Sequence, residues 1–320
     1  MSRYIVRRLL QAIPVVFGIS IIVFAMINLQ PGDPYATMID PNASPEVKEE
    51  LLQRVGYYDP LYVKYTKWVS RAVQGDLGYS IHYKSPVTEI IGSRVGNTLL
   101  LALAALAISV AIGLPVGIIT AVRRNSIIDY AATFFAFIGL SLPSFFFGML
   151  LIKYFGVDLK LLPISGKQTV GVNHQGWDYV VDVGRHLLLP AVVLGLMNTA
   201  ALMRYMRSSM SEILNQDYIR TAKAKGVSRR FVLLKHAMKN ALKPVITILS
   251  LEIPTLLSGA LLTETVFSWP GIGRLNFEAA LNRDYVLIMG IVMMLALVTL
   301  LANLIADILY AVVDPRIHYD

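Results

Sequence analysis

The sequence predicts an all-α polytopic membrane protein with six transmembrane helices, and three observations carry that prediction. Of the 320 residues, 55% are hydrophobic and 16% charged, with a mean hydropathy of +0.58, whereas a soluble domain carries about 25% charged residues. The apolar residues gather into six stretches, 9–29, 98–122, 131–155, 186–206, 245–263 and 285–313, each near the roughly 20 residues needed to cross the hydrocarbon core of a bilayer. The Lys and Arg residues favour alternate gaps. The N-terminus, the 123–130 loop, the 207–243 loop and the tail after residue 313 hold 15 of them, the other short gaps only five, so the positive-inside rule predicts that both termini are cytoplasmic.

Each element follows in turn. Arg3, Arg7 and Arg8 precede the first apolar run as they would in a signal peptide. Its length, and the Leu-Gln-Pro-Gly-Asp-Pro that follows without a small-x-small cleavage site, predict a retained anchor. The 31–96 segment carries seven basic and eight acidic residues and is expected to fold on the outer surface. Ser44-Pro45 and Asp59-Pro60 place a capping side chain before a proline, a favoured helix start. After the second, Leu61, Tyr65, Trp68, Val69 and Ala72 recur at helical spacing, so two short helices are expected, covered either by a partner or by the chain's own spans. Pro143, in Ser141-Leu142-Pro143-Ser144, predicts a kink in the third span with the serines satisfying freed backbone groups. Lys153 and Arg204 stand near span ends, where long side chains reach the interface.

The loop between the fourth and fifth spans reads DYIRTAKAKGVSRRFVLLKHAMKNALKP over residues 217–244. Met210, Ile213 and Leu214 continue a helical stripe into it. Asp217 is expected to cap a short helix through Lys225, Gly226 to supply the turn, and Ser228 to cap a further helix. Phe231, Leu234, Met238 and Ala241 would share one face of that helix before Pro244 ends it. A basic amphipathic element resting on anionic membrane lipid accounts for Arg229 and Arg230. It does not account for a glycine break between two capped helices, which suggests a docking element.

These residues resemble the cytoplasmic EAA loop of ATP-binding-cassette (ABC) importer permeases, in the version of the dipeptide and oligopeptide permeases. Tyr218-Ile219-Arg220-Thr221-Ala222-Lys223-Ala224-Lys225-Gly226 carries the likeness, with Lys235-His236-Ala237 and Asn240 to Pro244 after it. It extends to Arg7-Arg8-Leu9, Pro31-Gly32-Asp33-Pro34, Trp269-Pro270-Gly271-Ile272-Gly273, Asn282-Arg283-Asp284-Tyr285 and the ending from Asp307 to Arg316. The Glu-Ala-Ala of the broader family stands here as Arg220, Thr221 and Ala222, as in the peptide branch, so salt bridges of other branches do not carry over. The resemblance implies a type I ABC importer permease fold in the bacterial inner membrane. It implies a second homologous permease subunit, two ATPase subunits holding ATP and Mg, and an extracytoplasmic peptide-binding protein. Asp217, Tyr218, Arg220, Thr221, Ala222, Ala224, Lys225 and Gly226 would couple to the ATPases. A permease for nickel or another small solute shares this architecture and is the alternative.

The chain divides into 1–30 (N-terminus and first span), 31–96 (outer segment), 97–313 (five-helix core with the 207–243 loop) and 314–320 (cytoplasmic tail). It has no Gly-x4-Gly-Lys-Ser/Thr, since Gly166-Lys167 is followed by Gln168 and position 161 is Leu, so ATP hydrolysis is expected elsewhere and no cofactor on this chain. Its five histidines lack ligand spacing, there is no cysteine, and Gly-x-Ser-x-Gly is absent, which argues against metal and serine-hydrolase chemistry. The basic residues lie between spans and not on a soluble face, so nucleic acid is not an expected partner. A membrane-embedded enzyme would need an intramembrane catalytic pair, and a self-sufficient carrier would work without ATPases. For the substrate path, polar groups inside spans single out Glu252 and Asn198, with Pro143 and Ser144 at the kink. Glu252 would meet a peptide amino terminus or pair with a neighbouring helix. Asn303 and Asp307, four apart near the end of the last span, suggest a structural bond.

Overall fold

The computed structural model describes residues 2–29, 45–54, 57–257 and 260–313. In order these form α1 (Ser2–Asn28), α2 (Pro45–Arg54), α3 (Leu61–Val73), β1 (Tyr79–Ser80), β2 (Ser85–Pro86), α4 (Val87–Val122), α5 (Ile127–Ser141) and α6 (Ser144–Leu151). A π-helical turn over Ile152–Asp158 follows, then α7 (Gly176–Leu214), α8 (Asp217–Ala224), α9 (Arg229–Phe231) and a second π-helical turn over Val232–Ala237. The chain continues as α10 (Met238–Leu257), α11 (Leu261–Val266), α12 (Ile272–Leu281) and α13 (Tyr285–Val313). β1 and β2 pair antiparallel, Tyr79 opposite Pro86.

Among the described residues, four helices are long and apolar enough to cross a membrane, over Val6–Met26, Val87–Val122, Gly176–Leu214 and Tyr285–Ile308. The third predicted span is not a kinked rod. Its halves, Ile127–Gly139 and Ser144–Asp158, meet at 101° and make a fifth span if taken together. Leu142 and Pro143 are both extended, with ψ of 129° and 134°, the conformation a proline favours in itself and in its predecessor. The break is retied by backbone groups and not by the expected serine hydroxyls: Leu142 N–H donates to the Ile138 carbonyl and Phe147 N–H to that of Pro143, both at 3.1 Å. The predicted 245–263 span falls largely on α10, which is not among those four helices, so the described residues give four or five such spans against the six expected; residues 258–259 lie outside the described residues.

α4 and α7 form the most extensive helix pair, and small residues let them close. A Cβ on Gly117 would stand 2.7 Å from Met206 Cβ, and one on Gly195 2.8 Å from Ile108 Cβ. Gly113 and Gly117 are the Gly-x-x-x-Gly spacing that lets helix backbones approach in lipid, where packing rather than the hydrophobic effect drives association.

α3 packs on the chain's own first helix. Ser20 and Tyr65 hydroxyls lie 2.7 Å apart, and the Tyr65 ring meets Phe17 and Phe24 edge-on at 6.2 and 5.3 Å. Tyr65, Trp68, Val69 and Ala72 are half-buried as the stripe predicts, while Leu61 is exposed. Asp59 does not cap α3. Its carboxylate takes the Lys67 ammonium at 2.6 Å, and Pro60 occupies the cap position. Ser44 lies outside the described residues.

Ion pairs join the ends of the array. Arg8 reaches Asp307 at 3.2 Å, so the last helix is tied to the first and the predicted Asn303–Asp307 bond is not what holds Asp307. Arg207 grips Asp129 through two nitrogens at 2.7 and 2.8 Å, the planar two-point geometry of strong guanidinium pairs. Asp129 also accepts from Asn125 N–H at 3.0 Å, so one buried carboxylate joins the 123–126 turn to α7.

Candidate functional site

The hairpin after α7 is a small helix held by one deep anchor. Ile219 of α8 is fully buried, in a cluster with Met206, Met210, Val232, Ala237, Ala241 and Val245. Burying such a side chain contributes about 1.5–3 kcal/mol. Around it Asp217, Tyr218, Arg220, Thr221, Ala224, Lys225 and Gly226 are exposed and Ala222 is half-buried. Asp217 is the first helical residue and not the cap; that position falls to Gln216, without a side-chain hydrogen bond. At the other end, Gly226 N–H donates to the Lys223 carbonyl at 3.0 Å and Val227 N–H to that of Ala222 at 3.2 Å. These are the two bonds of a left-handed glycine C-cap, and Gly226 has the required φ of +75°. Val227 and Ala222 both pack against the cluster. The Arg220–Asp217 pair spans 3.7 Å with both side chains exposed and adds little stability.

The second half of the hairpin departs from expectation. Ser228 stands at the cap of α9 but makes no side-chain cap bond. Pro244 does not end the helix, because α10 runs through it to Leu257, as lipid-embedded helices tolerate when neighbours satisfy the backbone. Nor do Phe231 and Leu234 face inward: they are 44% and 61% exposed, whereas Val232, Ala237, Ala241 and Val245 are buried. The π-helical turn explains the shift. It spaces Val232 and Ala237 five apart before the α spacing of four resumes, so the inward positions before Ala237 shift while Ala241 is buried as the stripe predicts.

The predicted path residues fall into two groups. Glu252 of α10 and Asn198 of α7 meet at one small crevice, joined there by Ser109 of α4. Pro143 and Ser144 are not part of it. They sit at the α5–α6 break, beside an apolar cavity of about 480 Å³ lined by Phe135, Leu142, Phe147 and Met203 among others.

At the end away from the hairpin, α4 is clasped by the segment before α13. Thr98 donates to Glu264 Oε1 at 2.9 Å and accepts from Ile272 N–H at 2.8 Å, while Arg274 N–H donates to Glu264 Oε2 at 2.9 Å. Trp269 Nε1 donates to the Asn97 carbonyl at 3.0 Å, and the Asn97 amide to that of Pro270 at 2.8 Å. A Cβ on Gly271 would collide with the Glu264 carboxylate, which explains glycine after Trp269-Pro270. Beside this, Glu278 accepts from the Tyr83 hydroxyl and Arg274 Nε, both at 2.7 Å. Burial, then the bond to Glu278, pushes the Tyr83 phenol up to about 12. Ser80 donates to Asp284, whose other oxygen accepts from Leu287 N–H at 3.2 Å and so caps α13. Glu264 was not singled out in the sequence, because a carboxylate just past an apolar run reads as exposed until its donors, 166 residues away in Thr98 and nearby in the loop, are known.

Comparison with known proteins places this architecture. The family profile for the "Binding-protein-dependent transport system inner membrane component" matches residues 113–319, and its N-terminal companion matches residues 1–102. The oligopeptide transport system permease protein AppB of Bacillus subtilis (strain 168) is 46% identical over 320 residues, covering 100% of both chains. The dipeptide transport system permease protein DppB of Escherichia coli (strain K12) is 40% identical, covering 100% of this chain and 99% of its own. The glutathione transport system permease protein GsiC of Escherichia coli O6:H1 is also 40% identical, over 319 residues. Among solved structures, a chain of the MetNI methionine ABC transporter in inward-facing conformations superposes with a TM-score of 0.55 at 16% identity, covering 70% of this chain and 96% of that one, a likeness of fold. The chain belongs to the family of inner membrane components of binding-protein-dependent transport systems.

Proposed function

We propose that this protein is one of two permease subunits of an ATP-driven peptide importer in the bacterial inner membrane. The observation that carries the reading is end-to-end similarity, at 40–46% identity, to permeases named for oligopeptide and dipeptide transport. A second homologous permease completes the path, two ATPase subunits hold ATP and Mg, and an extracytoplasmic binding protein delivers peptide. Both termini and the 207–243 loop are cytoplasmic, and the 31–96 segment lies outside. The exposed shell of α8, from Asp217 to Gly226, seats in the ATPases, with Ile219 transmitting its motion to α4, α7 and α10. Closure of the ATPases around ATP moves this hairpin, and the spans pass from inward-open to outward-open. Glu252 and Asn198 line the path, and the break at Pro143 and Ser144 lets the α5–α6 segment swing. Nickel is the less favoured cargo, since the relatives above are named for peptides and glutathione. Uptake of a labelled dipeptide and of radioactive nickel by cells with and without the gene decides the cargo. Loss of peptide uptake alone is expected; loss of nickel uptake alone would overturn the reading.

A further inference from the structure

We propose that Ser109, Asn198 and Glu252 form a cradle for a single primary ammonium group, the amino terminus of a transported peptide, and that its size excludes N-alkylated termini. The inference rests on the peptide-importer reading and gives it a recognition site within the permease itself. Three helices converge to build it: α4 brings a buried hydroxyl, α7 a half-buried amide and α10 a half-buried carboxylate. The cavity between them has a volume of about 10 Å³, with apolar walls from Leu106, Leu202 and Ile248. That volume admits about one water-sized group, and an ammonium head is such a group.

The chemistry matches as well as the size. An ammonium presents three N–H donors and no acceptor; the cradle has acceptor oxygens from three side chains, a carboxylate, an amide and a hydroxyl. All other groups lining the cavity are apolar or neutral, so a charge on Glu252 has no counter-charge from the walls. A carboxylate in a membrane-spanning helix is costly until paired, and an incoming cationic terminus supplies the pair. A trimethylated or acylated terminus loses donors and gains bulk, and the surrounding leucines leave no room for it.

The test uses the whole transporter, this chain with its second permease, ATPases and binding protein, in proteoliposomes. Uptake of trialanine and of N-methyl-trialanine is measured at saturating binding protein, and their ratio is compared between variants, so discrimination by the binding protein cancels. Glu252→Gln is expected to lower trialanine uptake about tenfold, the loss of one charge-assisted hydrogen bond, with less effect on N-acetyl-trialanine. Ser109→Gly opens the cavity by a hydroxymethyl group and should raise the ratio of methylated to unmethylated uptake about tenfold, the discrimination typical of one methyl in a tight pocket. This gain of function cannot come from poor folding, so it decides the matter even if Glu252→Gln fails to assemble. An unchanged ratio in Ser109→Gly, or equal loss of free and acetylated peptides in Glu252→Gln, would overturn the cradle and leave Glu252 as a tie between helices. Failure of the parental complex to import any peptide would instead overturn the importer reading.

Discussion

Gly226 shows how a single residue sets the geometry of the hairpin. No atom stands within 4 Å of where its Cβ would lie, so space is not the constraint; its φ of +75° is. A β-branched side chain resists that region, whereas Asn visits it with little strain. Gly226→Asn should therefore keep ATP hydrolysis coupled to uptake, and Gly226→Val should assemble yet hydrolyse ATP with at least several-fold less peptide moved per turnover. Simultaneous ATPase and uptake assays check both, and equal coupling in the two variants would show that the left-handed turn is dispensable. The turn was legible in the sequence because a lone glycine in a helical pattern has few other uses. Glu264 was not, since its partners come from a distant helix and from backbone N–H groups that leave no mark in composition. Gly113 and Gly117 were legible in principle, as small residues four apart in an apolar run, though only the contact with Met206 says which helix they face.

At the scale of elements, the coupling loop is a thin exposed shell on one buried side chain. Ile219 is fully buried while its neighbours on α8 face outward, so the hairpin depends on the cluster beneath it. Ile219→Ala is expected to cost about 2–5 kcal/mol locally, as buried isoleucine truncations do. Amide exchange over residues 217–227 should then rise well above that of α4 and α7. Unchanged exchange there would mean that the hairpin is held by other contacts. Apolar run length foretold the long helices and the Asp217 and Gly226 signals foretold α8, but apolar periodicity placed Phe231 and Leu234 inward where they are exposed. A π-helical turn carries no sequence signature as plain as glycine or proline, and here it turns Phe231 and Leu234 outward while Ala241 stays buried. The 101° break was half legible: Pro143 marked its place, while its size is set by packing of α5 and α6 against α7.

Across the whole molecule, the ties between ends agree with the alternation of basic loops. Arg8 joins the start of α1 to the end of α13, and Arg207 joins the 123–130 loop to the hairpin side of α7. Ser80 and Tyr83 join the segment before α4, and Asn97 the first part of α4 itself, to residues 270–284 at the other end. The sequence contains no cysteine, so single cysteines report which end is which. Cysteines placed at Gln53 and Lys67 should react with an impermeant thiol reagent in intact cells, and one at Ser228 should not; the reverse pattern would invert the topology.

The central claim is that this chain conducts peptide only when separate ATPases drive it through α8. Uptake of a labelled dipeptide into proteoliposomes holding both permeases, with binding protein supplied, tests this most directly when the ATPase subunits are included or omitted. Uptake that requires both the ATPases and ATP is the predicted result. Uptake at the same rate without them would contradict the account and show a self-sufficient carrier.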